Sequence, residues 1–194
     1  MQHIAKALLA ATFLFTFSSC QPVLKLLLGI KKPQLETPES LENHLSNTVF
    51  TKAIGQENIW FLKNQTAYEK SIVFIDRLPS YLIVRPDGVV MDRGTSCFNP
   101  TQNEFDIIID NAENQAIYSE FDFNTISDCY TNVKGESLKS VYQDSNNYRV
   151  IVIWAKYFSK KMNKKLADLL KSIEDSKHPI DVIFLNSDGM ENWF

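Results

Sequence analysis

Residues 150–154 read Val-Ile-Val-Ile-Trp (VIVIW) and residues 181–185 read Asp-Val-Ile-Phe-Leu (DVIFL). A continuous apolar run of this kind, rich in β-branched residues, has no polar side to offer water and is the pattern of a strand covered on both faces. Between the two runs, residues 159–174 place Met162, Leu166, Leu169, Leu170 and Ile173 at helical spacing, an apolar stripe on a Lys-rich helix. Strand, helix and strand in this order predict two parallel strands joined by a right-handed crossover. The fold class is therefore α/β.

Upstream, residues 78–91 read LPSYLIVRPDGVVM. Pro86 presets a turn dihedral, Asp87 can bond the turn backbone, and Gly88 accepts the positive φ that closes it. Residues 81–84 and 89–91 are thus expected to pair as an antiparallel hairpin. YLIV is also the most apolar segment of the first half, hence the expected neighbour of VIVIW, whose backbone groups need partners. Residues 100–111 bring Phe105, Ile108 and Ile109 to one side at helical spacing. A short helix is expected from Thr37 to Ser46, with Thr37 as cap, Pro38 in its first turn, Glu39 at its positive end, and Leu41 and Leu45 on its buried side. Residues 59–62 predict a strand, 71–75 a strand or a buried turn of helix, and 136–142 a short helix. The rest of 112–148 is polar, and its aromatics (Tyr118, Phe121, Phe123, Tyr130, Tyr142) need a surface to pack on, but no element pattern is legible there.

The composition is that of one packed domain with a short tether. With 20 Lys+Arg against 23 Asp+Glu the formal charge is −3. No global basic field exists to hold nucleic acid. Residues 1–6 supply positive charge at the amine and Lys6, and residues 7–17 (ALLAATFLFTF) form an uncharged apolar run of signal-peptide length. That run is too short for a bilayer span, which needs about 20 residues. Ser18 and Ser19 then precede Cys20.

This FSSC ending resembles the lipobox of bacterial lipoproteins, in which the cysteine thiol is diacylated and the signal is cut just before it; Phe17 departs from the usual aliphatic residue. The resemblance implies a lipoprotein signal peptide at 1–19, lipidated Cys20 and a tether at 20–36, and a domain at 37–194, anchored by lipid to a membrane of the bacterial cell envelope on its extracytoplasmic side. An ordinary cleaved secretion signal is the alternative. Two or more acyl chains hold durably, since each buried methylene adds about 0.8 kcal/mol. Residues 23–30 (VLKLLLGI) lie against the bilayer or dock on the core; docking is expected, because a long exposed apolar stretch is a liability.

With Cys20 lipidated, Cys97 and Cys129 remain, and in an oxidising compartment one structural bridge is their simplest use. Unstrained, it would close a loop of about 30 residues and contribute roughly 3 to 4 kcal/mol. Two unpaired thiols, or a lone catalytic Cys97, are the alternatives. The wide spacing is unlike that of a C-x-x-C dithiol.

The segment VIVIWAKYFSKKM resembles the thioredoxin motif, a buried strand ending in W-A-x-W-C-x-x-C that runs into a helix. Trp154 and Ala155 match, Tyr157 stands for the second aromatic, and Phe158 and Lys161 occupy the two cysteine positions. LPSYLIVRPDGVV resembles the proline, strand, turn and strand of the same family, with Pro79 at the cis-proline position. The order of the two segments is reversed relative to ordinary thioredoxins. The implied fold is a thioredoxin-like sandwich, a central mixed sheet with flanking helices, circularly permuted or rebuilt. Two generic buried strands of an unrelated α/β domain remain the plain alternative. The resemblance also implies that residues 157–161 sit beside Pro79.

Thiol exchange needs a thiolate, and a Phe–Lys pair supplies no sulfur. The domain is therefore expected to be a redox-inactive binding or assembly module with an envelope protein as partner; the rivals are a thiol-dependent enzyme using Cys97 and a purely structural envelope component. No cofactor is implied, since P-loop, dinucleotide, EF-hand and nucleophile-elbow signatures are absent. His44 and His178 are far apart in sequence, so no zinc site is expected and both should face solvent. Asp106, Asp110, Glu113, Glu120, Asp122 and Asp128 lack a calcium-ligand spacing and are read as a solvated face. Lys160, Lys161, Lys164 and Lys165 crowd the positive end of their helix, which the macrodipole disfavours. They are read as a solvated basic face or, alternatively, as a patch for an anion or acidic partner.

Overall fold

In a computed structural model of the chain, residues 35–47, 58–75, 80–94, 103–115, 117, 120–156 and 160–193 are described. Their strands are β1 (Ile59–Leu62), β2 (Ser80–Val84), β3 (Val90–Gly94), β4 (Tyr130–Thr131), β5 (Tyr148–Trp154) and β6 (Ile180–Asn186). Their helices are α1 (Pro38–Asn47), α2 (Gln65–Ile75), α3 (Glu104–Asp110), α4 (Phe123–Ser127), α5 (Leu138–Tyr142) and α6 (Lys160–Glu174). The strands form one mixed sheet in the order β3-β2-β5-β6-β1-β4.

The two apolar runs lie at its centre. β5 and β6 are parallel in the register Val150↔Val182 to Trp154↔Asn186, and β1 continues the parallel set against β6. β2 runs antiparallel to β5, with Ser80 opposite Ile153 and Val84 opposite Arg149, so YLIV is the neighbour of VIVIW. β2 and β3 form the expected hairpin: Gly88 has φ 87°, its amide donates to the Arg85 carbonyl at 3.0 Å, and the Asp87 carboxylate accepts from the Val89 amide at 3.2 Å.

Alternation along the central strands divides the core into two layers. Val150, Val152, Trp154 and Phe184 pack with Leu41 of α1, Phe105 and Ile108 of α3, and Leu166, Leu169 and Ile173 of α6. Ile151, Ile153, Ile183 and Leu185 pack on the other face with Phe74 of α2, Phe123 and Ile126 of α4, and Leu138 of α5. Each large aliphatic side chain so buried contributes about 1.5–3 kcal/mol. Helices on both faces explain why VIVIW needs no polar side.

Several local readings are decided between alternatives or change. Residues 71–75 belong to α2, where Ser71 and Phe74 are buried and Ile72 and Val73 exposed, a helical spacing rather than an alternating one. α3 is shorter than the 100–111 expectation and begins after Asn103, which sits at φ 64°. The unreadable stretch contains a 3-10 turn (Ala112–Asn114), α4, and β4, which caps the sheet edge beside β1. Asp122 caps α4 by accepting from the Thr125 amide and hydroxyl, both at 2.8 Å, and these bonds hold its carboxyl below the usual range. Arg149 is fully buried, donates to the carbonyls of Arg85, Tyr142 and Ser145 at 3.1, 2.9 and 2.8 Å, and covers the Phe123 ring at 4.5 Å. It ties the hairpin and α5 to the start of β5.

Glu36, the last residue of the expected tether, is built into the domain. Its amide donates to the Gly189 carbonyl at 2.8 Å, its carbonyl accepts from Glu191 at 3.0 Å, and its side chain is buried.

Candidate functional site

At the carboxyl ends of β5 and β6 the chain stops being apolar, and polar groups converge there. In open α/β sheets this end is where ligands bind. Two residues after Trp154 comes Lys156; after Leu185 come Asn186, Ser187 and Asp188, all three buried. Asp188 Oδ2 accepts from the Lys156 amide at 2.8 Å and from Asn186 Nδ2 at 2.7 Å, while the Asp188 amide donates to Asn186 Oδ1 at 3.2 Å. The amide and hydroxyl of Ser187 both donate to the Trp154 carbonyl at 2.9 Å. This bonding extends the parallel pairing past the last residues of the two strands.

The N-terminal segment closes over that end. Lys156 Nζ contacts the Glu36 carboxylate and Ser40 Oγ, and Ser40 Oγ donates to Glu36 Oε2 at 2.8 Å. His44, one turn on in α1, stacks on the Trp154 ring with centroids 6.3 Å apart and planes 27° apart. α1 forms because Thr37 Oγ1 accepts from the Ser40 amide at 3.1 Å, as its cap position predicts, and Leu41 then anchors the helix in the core.

Lys156 meets two carboxylates, Glu36 through its ammonium and Asp188 through its backbone amide. Burial pushes the Asp188 carboxyl up to about 6; the Lys156 amide and Asn186 bonds oppose the shift, and the Glu36 charge adds to it. Oδ1 of Asp188 is buried without a hydrogen-bond partner among the described residues. Burial also lowers the His44 imidazole, Lys156 lowers it further, and Glu36 opposes. The arrangement can hold or release a proton near neutral pH. Among the described residues no group of His, Cys, Asp and Glu is placed to hold a metal ion.

The residues singled out in sequence fare unevenly. Cys20, Pro79, Cys97 and Phe158 lie outside the described residues. Lys160, Lys161, Lys164 and Lys165 are in the first turns of α6, and of these only the Lys165 side chain, partly exposed, is described. Cys129 is a buried free thiol on the face opposite Trp154; Sγ donates to the Thr125 carbonyl at 3.4 Å, and burial raises its pKa. Its expected bridge partner is Cys97. Neither histidine simply faces solvent: His44 stacks on Trp154, and His178 Nε2 meets Asp110 at 2.9 Å.

Besides Asp122, which caps α4, two more of the acidic residues have a structural use. Asp110 also pairs with Lys177 at 2.6 Å, and Asp106 accepts from the Ser176 hydroxyl, so the two hold the loop after α6 to α3. Sequence reading missed Glu36, Ser40, Lys156 and Asp188. The available signal was the polar triplet Asn186-Ser187-Asp188 directly after a buried strand. No helix among the described residues is long and apolar enough to cross a membrane. Compared with protein-family models, curated proteins and solved structures, the chain matches none, so the site stands on its own residues.

Proposed function

We propose that the chain is a lipid-anchored bacterial envelope protein whose domain is a redox-inactive, circularly permuted thioredoxin-like module that binds a partner through the carboxyl ends of β5 and β6. The observation that carries this reading is the antiparallel pairing of β2 with β5, in which Ser80, the residue after Pro79, stands opposite Ile153, the residue before Trp154. On this reading the two thioredoxin-like segments, far apart in sequence, run side by side, and the pairing of Ser80 with Ile153 supports placing the counterpart of the family's dithiol site at that end. The polar cluster at that same end supplies groups for recognition.

Redox inactivity follows from composition. Phe158 and Lys161 occupy the cysteine positions, and Cys129 is buried in the core layer of the opposite face. An insulin-reduction assay tests both halves of the claim. The wild type should show no turnover above the uncatalysed rate, and the double variant Phe158→Cys/Lys161→Cys should gain dithiol-dependent turnover. Robust wild-type turnover that survives replacement of Cys97 and Cys129 would overturn the assignment.

A further inference from the structure

We propose that residues 35–47 form a proton-gated strap, closed over the carboxyl ends of β5 and β6 while Asp188 is protonated and His44 is neutral, and loosened when Asp188 ionises or His44 takes up a proton. This goes beyond the binding-module reading and does not depend on what that end binds or on the thioredoxin-like resemblance.

The geometry is a charge imbalance across a closed joint. Glu36 and His44 face the joint from the strap, Lys156 from the end of β5, and Asp188 from the end of β6; Ser40 and Asn186 are its neutral members. Lys156 bridges the two carboxylates, reaching Glu36 with its ammonium and Asp188 with its backbone amide. Closing the strap seats Glu36 beside residues 189–191, next in the chain to Asp188. A second negative charge then sits near a carboxyl that is already buried, and a proton on Asp188 relieves both costs. Opening the strap removes Glu36 and admits water, so the open form favours ionised Asp188. His44 works with the opposite sign: closed, it is half-buried near Lys156, a place for a neutral ring, and opening lets it charge. By linkage, a rise in pH through the Asp188 titration loosens the strap, and so does a fall through that of His44.

Hydrogen exchange by mass spectrometry on the full-length protein in detergent reads this directly. The comparison is between peptides covering 35–47 and peptides covering β5, each corrected for intrinsic exchange at its pH. His44→Phe keeps a ring on Trp154 and removes one titration; in it the strap should lose about tenfold in protection between pH 5 and pH 7.5. Adding Asp188→Asn, which resembles the protonated carboxyl, should flatten that dependence. If phenylalanine disturbs the stack, His44→Gln supports the same comparison. Strap protection in the His44 variants that is constant or rises toward pH 7.5, or that changes equally in β5, would overturn the proposal.

Discussion

Asp188 enters the fold with two donors on Oδ2, the Lys156 amide and the Asn186 side chain, while Oδ1 is buried without a partner among the described residues. Its folded-state pKa of about 6 lies above the ordinary value of 3.8, so the folded chain binds this proton more tightly than the unfolded chain does. The resulting stabilisation is full below the ordinary value and is lost as pH rises through about 6. Between pH 4.5 and 7.5 the loss amounts to about 2 kcal/mol. Urea unfolding should show wild-type stability falling by that amount relative to Asp188→Asn over this range; a constant difference between the two proteins would refute the buried, proton-binding carboxyl. None of this is visible in the tripeptide Asn-Ser-Asp, because the desolvation comes from segments distant in sequence.

For the cysteines, the expected bridge and the buried thiol make different predictions. Cys129 is shielded in its core layer, and its thiol pKa is raised by burial. As a free thiol, it should be alkylated slowly in the native protein and rapidly in urea. Non-reducing peptide mapping that joins Cys97 to Cys129 would instead establish the bridge.

At the level of elements, the hairpin, α1 and α6 were legible because their signals are local: a Pro-Asp-Gly turn, a Thr cap followed by Pro, and an apolar stripe at helical period. Gly88 shows how local. Its φ of 87° disfavours any side chain, and a Cβ there would meet only Phe123 Cβ at an ordinary 3.7 Å. Gly88→Ala should therefore destabilise the fold through backbone strain, by about 1 kcal/mol or somewhat more, without a packing defect. Thermal unfolding would measure it, and an unchanged midpoint would argue against the turn geometry. α2 and α4 were less legible for a physical reason. In residues 71–75 the β-branched pair that suggests a strand is the exposed side of a helix. α4 is a single capped turn whose stability comes from Phe123 and Ile126 entering the second core layer.

For the whole molecule, the sheet joins what the chain separates. β5 and β6 come from the last third, yet their neighbours β2 and β1 come from the first half. The N-terminal segment then brings Glu36 to Lys156, so the last residue of the expected tether is part of the candidate site. The proposed anchor is tested at this scale: Cys20→Ser should abolish metabolic labelling by palmitate and shift the protein out of the detergent phase. Labelling that persists in that variant would eliminate the lipobox reading.

The α/β class, the parallel central pair, the hairpin and the absence of a dithiol at the matched positions were all determined by the amino-acid sequence. Each depends on periodicity, turn chemistry or residue identity over a few neighbouring positions. Only the tertiary structure decided that Glu36 belongs to the domain and that Lys156, Asp188, Glu36 and His44 form one cluster. Those facts arise from chain segments meeting across the sheet, where burial and shared charge, unlike local pattern, leave no trace at any single position.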